Sequence, residues 1–407
     1  ATLAAMPVTP QDVLAAHGAI QAHIQRTPTI AAPRLSEMLG ARLFLKLENL
    51  QFTGSFKDRG SCLKLQRLAQ QPEPPAGVAA ASAGNHAQGV AYHARRLGMK
   101  ALIVMPLTTP FSKIERTEAL GAEVVLRGES VAESTGHAKE LATQRGYAFV
   151  HPYDDPLIVA GQGTAAIEML ADQPQLQALV VPIGGGGLCA GMALWAKHHK
   201  PSIRVYGVQT AMCPSMHAKL KGLPTPPLHT HTLAEGIAVK TPGEIPAEIL
   251  KLRLEDVLLV DETDIETAVQ LLAAQQKVVA EGAGAAGLAA VLRNASLFAG
   301  QDVGVVVCGG NIDRRMLSTV LLRSLKRDGK VAKLRIFIQD VPGVLARVTQ
   351  MVGAAGADII DIEHQRLFTG LGPRQAELHI VMETRGTAHV EQIVASLQGA
   401  GFPAQVL

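Results

Sequence analysis

Ala178-Leu179-Val180-Val181-Pro182-Ile183-Gly184-Gly185-Gly186-Gly187 decides the fold. Six apolar residues with no polar residue among them read as a strand covered on both faces, the kind found in parallel sheets under helices. The glycines lead into a helix expected over 188–197. Upstream, strands at 78–81, 101–105 and 122–126 each precede a helical stretch, ending near Leu97, Leu120 and Arg145. A helix over 9–24, a half-buried strand over 41–48 and a helix over 61–70 come before them. Downstream, strands at 202–208, 256–260 and 303–307 follow, with 261–282 and on to about Asn294 read as helix. Strands alternating with helices predict right-handed βαβ units and an open, parallel α/β sheet in two lobes.

The tail has a different rhythm. After a polar hinge at 327–331, strand 332–339, helix 344–352, strands 358–367 and 377–383, helix 390–397 and strand 405–407 give the ferredoxin-like α+β order βαββαβ. The expected organisation is therefore a catalytic domain over 1–326, with a smaller lobe of about 50–150 inserted, then the linker, then a small domain over 332–407.

With 47% hydrophobic and 18% charged residues, the chain has the apolar content of a packed globular protein and not of a disordered one. The net charge of +3 is spread without a basic run, which argues against nucleic acid and membrane partners. Cys62, Cys189, Cys213 and Cys308 form no CxxC pair, so neither a disulfide framework nor a zinc site is expected, and a cytoplasmic setting fits. The sequence shows no secretory signal pattern and no apolar run of membrane-spanning length.

Three stretches carry chemistry. In Thr53-Gly54-Ser55-Phe56-Lys57-Asp58-Arg59-Gly60 a single lysine sits among small residues beside an aromatic ring. A desolvated lysine forms Schiff bases near neutral pH, although most lysines are simply solvated. Gly184, Gly185, Gly186 and Gly187, between a strand and a helix start, offer backbone N–H groups to a phosphate; a plain tight turn is the alternative. Neither a Walker lysine nor GxGxxG spacing accompanies them. In Ser82-Ala83-Gly84-Asn85-His86-Ala87-Gln88-Gly89, N–H groups and a hydroxyl suit a carboxylate, and Asn85 offers an amide to a phenolic oxygen. His86 there is either catalytic or a packed helix-start residue. A phosphate cradle, a carboxylate cradle and a Schiff-base lysine together describe a pyridoxal phosphate enzyme acting on an amino acid.

These three stretches, with Cys308-Gly309-Gly310-Asn311, resemble the threonine/serine dehydratase family, the tryptophan-synthase-β-like (type II) pyridoxal phosphate enzymes, over residues 10–325. The tail, with Asp340-Val341-Pro342-Gly343-Val344-Leu345, resembles an ACT domain. The resemblance implies that Lys57 holds the cofactor and later removes the substrate's α-proton, and that Phe56 packs on the cofactor ring. It implies that Asn85 bonds the phenolic oxygen, and that Gly184 to Gly187 with the Leu188 N–H hold the phosphate. Cys308 would face the pyridine nitrogen, unless it is merely a small buried strand-end residue. Ser82, Ala83, Gly84, Asn85 and His86 would present the loop that binds the substrate carboxylate.

The implied reaction is β-elimination of L-threonine, and of L-serine, to a 2-oxoacid and ammonia. An amino-acid effector at the ACT-like domain and a homo-oligomer are also implied. Ala83 stands where similar serine racemases carry serine, which favours elimination over racemisation. Gln209, Cys213 and Ser215 stand where those racemases place metal-binding carboxylates, so no metal is expected. Asp58 and Ser61-Cys62 depart from the commoner Leu or Glu and Ala, which leaves another 3-hydroxy amino acid as substrate. Outside enzymes, the alternative is an amino-acid sensor.

Overall fold

The computed structural model describes residues 7–367, 370, 372 and 374–407. The chain divides into two compact units, Ala1–Ile312 and Asp313–Leu407. Among the described residues the first holds strands β1 (Thr29–Ala31), β2 (Arg42–Leu47), β3 (Gly77–Ala81), β4 (Lys100–Met105), β5 (Glu123–Leu126), β6 (Tyr147–Phe149), β7 (Ala178–Pro182), β8 (Arg204–Thr210), β9 (Asp256–Val260) and β10 (Asp302–Val307). One sheet runs β1-β2-β10-β7-β8-β9, parallel except for β1. The other runs β5-β4-β3-β6 and is wholly parallel. Every residue of β7 and β10 is buried, as the apolar runs 178–182 and 303–307 require in a sheet covered on both faces. The open parallel α/β architecture in two lobes is the one expected.

Glycines let the covering helices come close. A Cβ on Gly191 of the helix Gly187–His199 would lie 2.2 Å from the Val159 carbonyl oxygen of the helix Pro156–Asp172. Two features next to the site differ from expectation. The helix expected over 61–70 runs Lys57–Ala69, so the lysine lies in its first turn and not in the loop before it. The helical run expected from 261 is two helices, Glu262–Gln276 and Gly282–Arg293, broken where Lys277 takes a left-handed conformation at φ 58°.

The second unit opens with the helix Arg314–Arg327 and a turn through Gly329. It continues with β11 (Val331–Gln339), β12 (Asp358–Gln365), β13 (Gln375–Glu383) and β14 (Ala404–Val406), in the antiparallel order β12-β13-β11-β14. Ala332, Leu334, Ile336 and Ile338 alternate inward to form a core with Val348, Val352, Ile393 and Leu397 from the helices Val344–Ala354 and Thr387–Gly399. This is the βαββαβ order read from the tail. Among the described residues no helix is long and apolar enough to cross a membrane.

Candidate active site

Ligands of open α/β sheets bind beyond the carboxyl ends of the strands. There, four separated segments are laced together. The Phe56 N–H donates to the Cys308 carbonyl at 3.0 Å, and the Gly310 N–H to the Gly54 carbonyl at 2.9 Å. Asn311 Nδ2 donates to the Thr53 carbonyl and to Asn85 Oδ1, both at 2.7 Å. Asn85 Nδ2 donates to Glu281 Oε1 at 2.7 Å, and the Glu281 N–H returns to the Gly309 carbonyl at 3.1 Å. Asn85 is thus held from both ends of its amide, with one N–H left for a ligand. Glu281 and the role of Asn311 were not legible in the sequence. The signal for Glu281 was a lone carboxylate in the small-residue run Val279-Ala280-Glu281-Gly282-Ala283-Gly284.

Lys57 points inward from the first helical turn and donates to the Pro152 carbonyl at 2.7 Å. Its Nζ lies 5.1 Å from the centre of the Phe56 ring. The neighbouring Tyr153 ring covers the glycine loop, where a Cβ on Gly185 would strike it at 2.2 Å. Gly186 turns the loop at φ 103°, and the helix begins at Gly187 without a side-chain cap. Its first N–H groups, those of Gly187, Leu188 and Cys189, have no acceptor among the described residues. The helix starting at Asn85 is likewise uncapped. By contrast, the helices following Thr9, Ser130 and Asp261 are capped by those side chains. The helices starting at Lys57 and Gly282 lack a side-chain cap as well; at the starts at Asn85 and Gly187 an anion can supply the missing acceptors.

Ser82 Oγ accepts from the Gly84 N–H at 3.1 Å and shapes the turn that contains Ala83. The His86 ring turns away, its Nε2 3.0 Å from the Val150 carbonyl, and burial followed by the Lys57 charge drives its pKa down to about 3. His86 therefore faces the site with its backbone and holds a neutral ring in the core. Cys308 is buried, and burial, reinforced by the Glu281 carboxyl, raises its pKa well above the usual thiol value. A neutral thiol follows. Gln209 Oε1 accepts from the His217 N–H at 2.8 Å, and Ser215 Oγ donates to the Val239 carbonyl at 2.5 Å.

Electrostatics tune two groups. Burial lowers the Lys57 pKa to about 8, although the nearby Cys308 works the other way. Burial raises the Glu281 pKa to about 7 against the Asn85 hydrogen bond. A lysine that is neutral in an appreciable fraction near pH 7, beside two anion-receptive helix starts, suits imine chemistry on a phosphorylated aldehyde. The glycine loop and its unpaired N–H groups fit such a cofactor.

The chain belongs to the family of pyridoxal-phosphate dependent enzymes, whose model matches residues 20–309. An ACT domain matches residues 332–402. The chain is 39% identical over 401 residues to the L-threonine ammonia-lyase of Thermotoga maritima, covering 98% of this chain and 100% of that protein. It is 42% identical over 392 residues to the L-threonine ammonia-lyase of Geobacter sulfurreducens, covering 95% and 96%. The crystal structure of a threonine deaminase from T.th. matches with a TM-score of 0.70 at 41% identity, over 75% of this chain and 99% of that one. The family resemblance read from the motifs is borne out.

Proposed function

We propose that this chain converts L-threonine to 2-oxobutanoate and ammonia, with Lys57 as cofactor anchor and proton carrier. The observation that carries the reading is the desolvated Lys57 amine, bonded to the Pro152 carbonyl, together with the uncapped helix starts at Asn85 and Gly187. When bound, pyridoxal phosphate supplies the electron sink for charge developing at the substrate's α-carbon. Gly184 to Gly187 and the Leu188 N–H would hold its phosphate, Asn85 its phenolic oxygen, Phe56 its ring and Cys308 its pyridine nitrogen. A neutral thiol there would not hold that nitrogen protonated, which would suit elimination, where charge departs with the β-hydroxyl.

Lys57 takes the α-proton, and its lowered pKa keeps a usable fraction of free amine at neutral pH. The Ser82–His86 turn would bind the substrate carboxylate through the N–H groups at the helix start and orient the α-hydrogen towards Lys57. The hydroxyl leaves as water, and hydrolysis of the released enamine returns one water, so the balance is threonine to 2-oxobutanoate plus ammonia. L-Serine, giving pyruvate, is the expected second substrate. The ACT domain is taken to hold an amino-acid effector, and the working form is taken to be a cytoplasmic homo-oligomer.

A substrate panel tests the reading. L-Threonine, L-serine, hydroxyaspartate and phenylserine are supplied to the holoenzyme and the 2-oxoacids identified by mass. The expected product from threonine is 2-oxobutanoate, at the highest kcat/KM. No 2-oxoacid from threonine, with turnover of another 3-hydroxy amino acid, overturns it.

The pH dependence of cofactor uptake gives a second check. Only the free amine of Lys57 attacks an aldehyde, so the uptake rate of the apoprotein rises with pH and levels off above a midpoint near 8, where burial sets the Lys57 pKa. A midpoint near the ordinary lysine value of 10.5 would contradict the desolvated site.

A further inference from the structure

Asp58 follows Lys57 directly and has no part in the chemistry above. Its side chain is fully buried in the first turn of the helix Lys57–Ala69. One carboxylate oxygen accepts the Thr53 N–H at 3.0 Å and the other the Thr53 hydroxyl at 2.6 Å. These bonds close the loop that holds Gly54, Ser55 and Phe56, in which Gly54 sits at φ 76°. Across the helix pair, His93 Nε2 lies 3.7 Å from Asp58 Oδ1. Neither nitrogen of this buried ring has a hydrogen-bond partner among the described residues. His93 belongs to the helix Asn85–Arg96, which begins with the amide expected to meet the cofactor. That helix also presses on the lysine turn, where a Cβ on Gly89 would come 3.3 Å from the Lys57 carbonyl carbon.

We propose that Asp58 is a positioning residue for Lys57: its carboxylate pins Thr53 across the loop and faces His93, so that Lys57 and Asn85 keep a fixed mutual geometry. An anionic side chain suits the place, because a helix's first turn carries partial positive charge. The carboxylate also meets two donors from one residue, which an amide cannot match. In an asparagine one end of the group is itself a donor and would oppose either the Thr53 N–H or its hydroxyl. Small displacements of a reacting group cost up to about a hundredfold in rate. A short loop held at both ends is a device that prevents them.

The inference rests on Lys57 being the cofactor lysine, and the test separates the two. Asp58→Asn, Thr53→Val, Thr53→Ser and Lys57→Ala are compared with wild type by kcat, KM, rate of cofactor uptake by the apoprotein, and half-unfolding temperature. Asp58→Asn is expected to lower kcat and the uptake rate at least about tenfold, with KM within about twofold. Thr53→Val, which removes only the hydroxyl, reproduces part of the loss; Thr53→Ser, which returns it, recovers the rate. Wild-type kcat and uptake in Asp58→Asn, with only a lowered half-unfolding temperature, overturn the proposal. Should Asp58→Asn not fold, Thr53→Val decides alone, and unchanged uptake and kcat in it overturn the proposal. A Lys57→Ala protein that still binds cofactor in a borohydride-reducible form instead defeats the assignment of Lys57.

Discussion

Lys57→Ala is expected to fold like wild type and to lose turnover of threonine by at least about 10⁴-fold, the upper range for removing one acid–base group, because covalent anchoring goes with it. Borohydride bleaches the cofactor absorbance of the wild type and fixes the cofactor to the chain. In Lys57→Ala nothing remains attached after denaturation. The reason lies in a contrast between two buried lysines. Lys46 Nζ is paired with Glu168 Oε2 at 2.6 Å and bonded to the Thr27 carbonyl at 2.7 Å; burial lowers its pKa too, but the Glu48 and Glu168 carboxylates work against that shift and hold the amine in an ion pair. Lys57 Nζ meets a carbonyl instead of a carboxylate, and burial brings its pKa to about 8. Removing it deletes one hydrogen bond from the folded protein and leaves no buried charge behind, so structure survives while chemistry does not. A variant that keeps threonine turnover within about tenfold of wild type would show that another base serves the reaction.

The sequence made the sheet and the glycine loop legible because strands buried on both faces are written as unbroken apolar runs, such as Val303 to Val307. It hid what depends on tertiary company. The lysine stretch reads as a loop before a helix over 61–70, yet Lys57–Ala69 is helical, with Asp58 and Arg59 finding buried partners in its first turn. Residues 41–48 alternate like a half-buried strand, which puts Lys46 and Glu48 on a solvated face; both are buried, since that face meets Arg59 and Glu168. Glu281 was hidden by a break between helices made at Lys277, a residue type that carries no turn signal. Alternation reports that a face is polar, not that it is wet.

That hidden polar cluster yields the largest expected stability effect. Arg59 is fully buried and donates to both oxygens of Glu48, each at 2.7 Å. It also reaches Glu168 at 2.7 and 2.9 Å, and Thr164 at 3.0 Å. With Lys46 the cluster has two cations and two carboxylates, all within the core. Arg59→Leu leaves two buried carboxylates facing one ammonium. Breaking such a pair costs about 3–5 kcal/mol, which for a unit of this size lowers the half-unfolding temperature by about 10 °C. Arg59→Lys also fails, because an ammonium cannot span two carboxylates with a planar fork. Arg26→Ala is the control: Arg26 pairs with Asp172 while mostly exposed, and its loss costs no more than about 1 kcal/mol.

Acid acts on the same cluster. Burial alone would raise the Glu48 pKa, but Arg59 overrides it and brings the carboxyl from 4.5 to about 2. Its stabilisation is therefore present above pH 4.5 and is lost as pH falls towards 2. Thermal unfolding followed by circular dichroism at pH 7 and below 4 measures both effects. The gap between wild type and Arg59→Leu should narrow on acidification, because protonated carboxyls no longer need the guanidinium. A gap that stays constant with pH would mean that Arg59 stabilises the core by packing its volume and not by its charge.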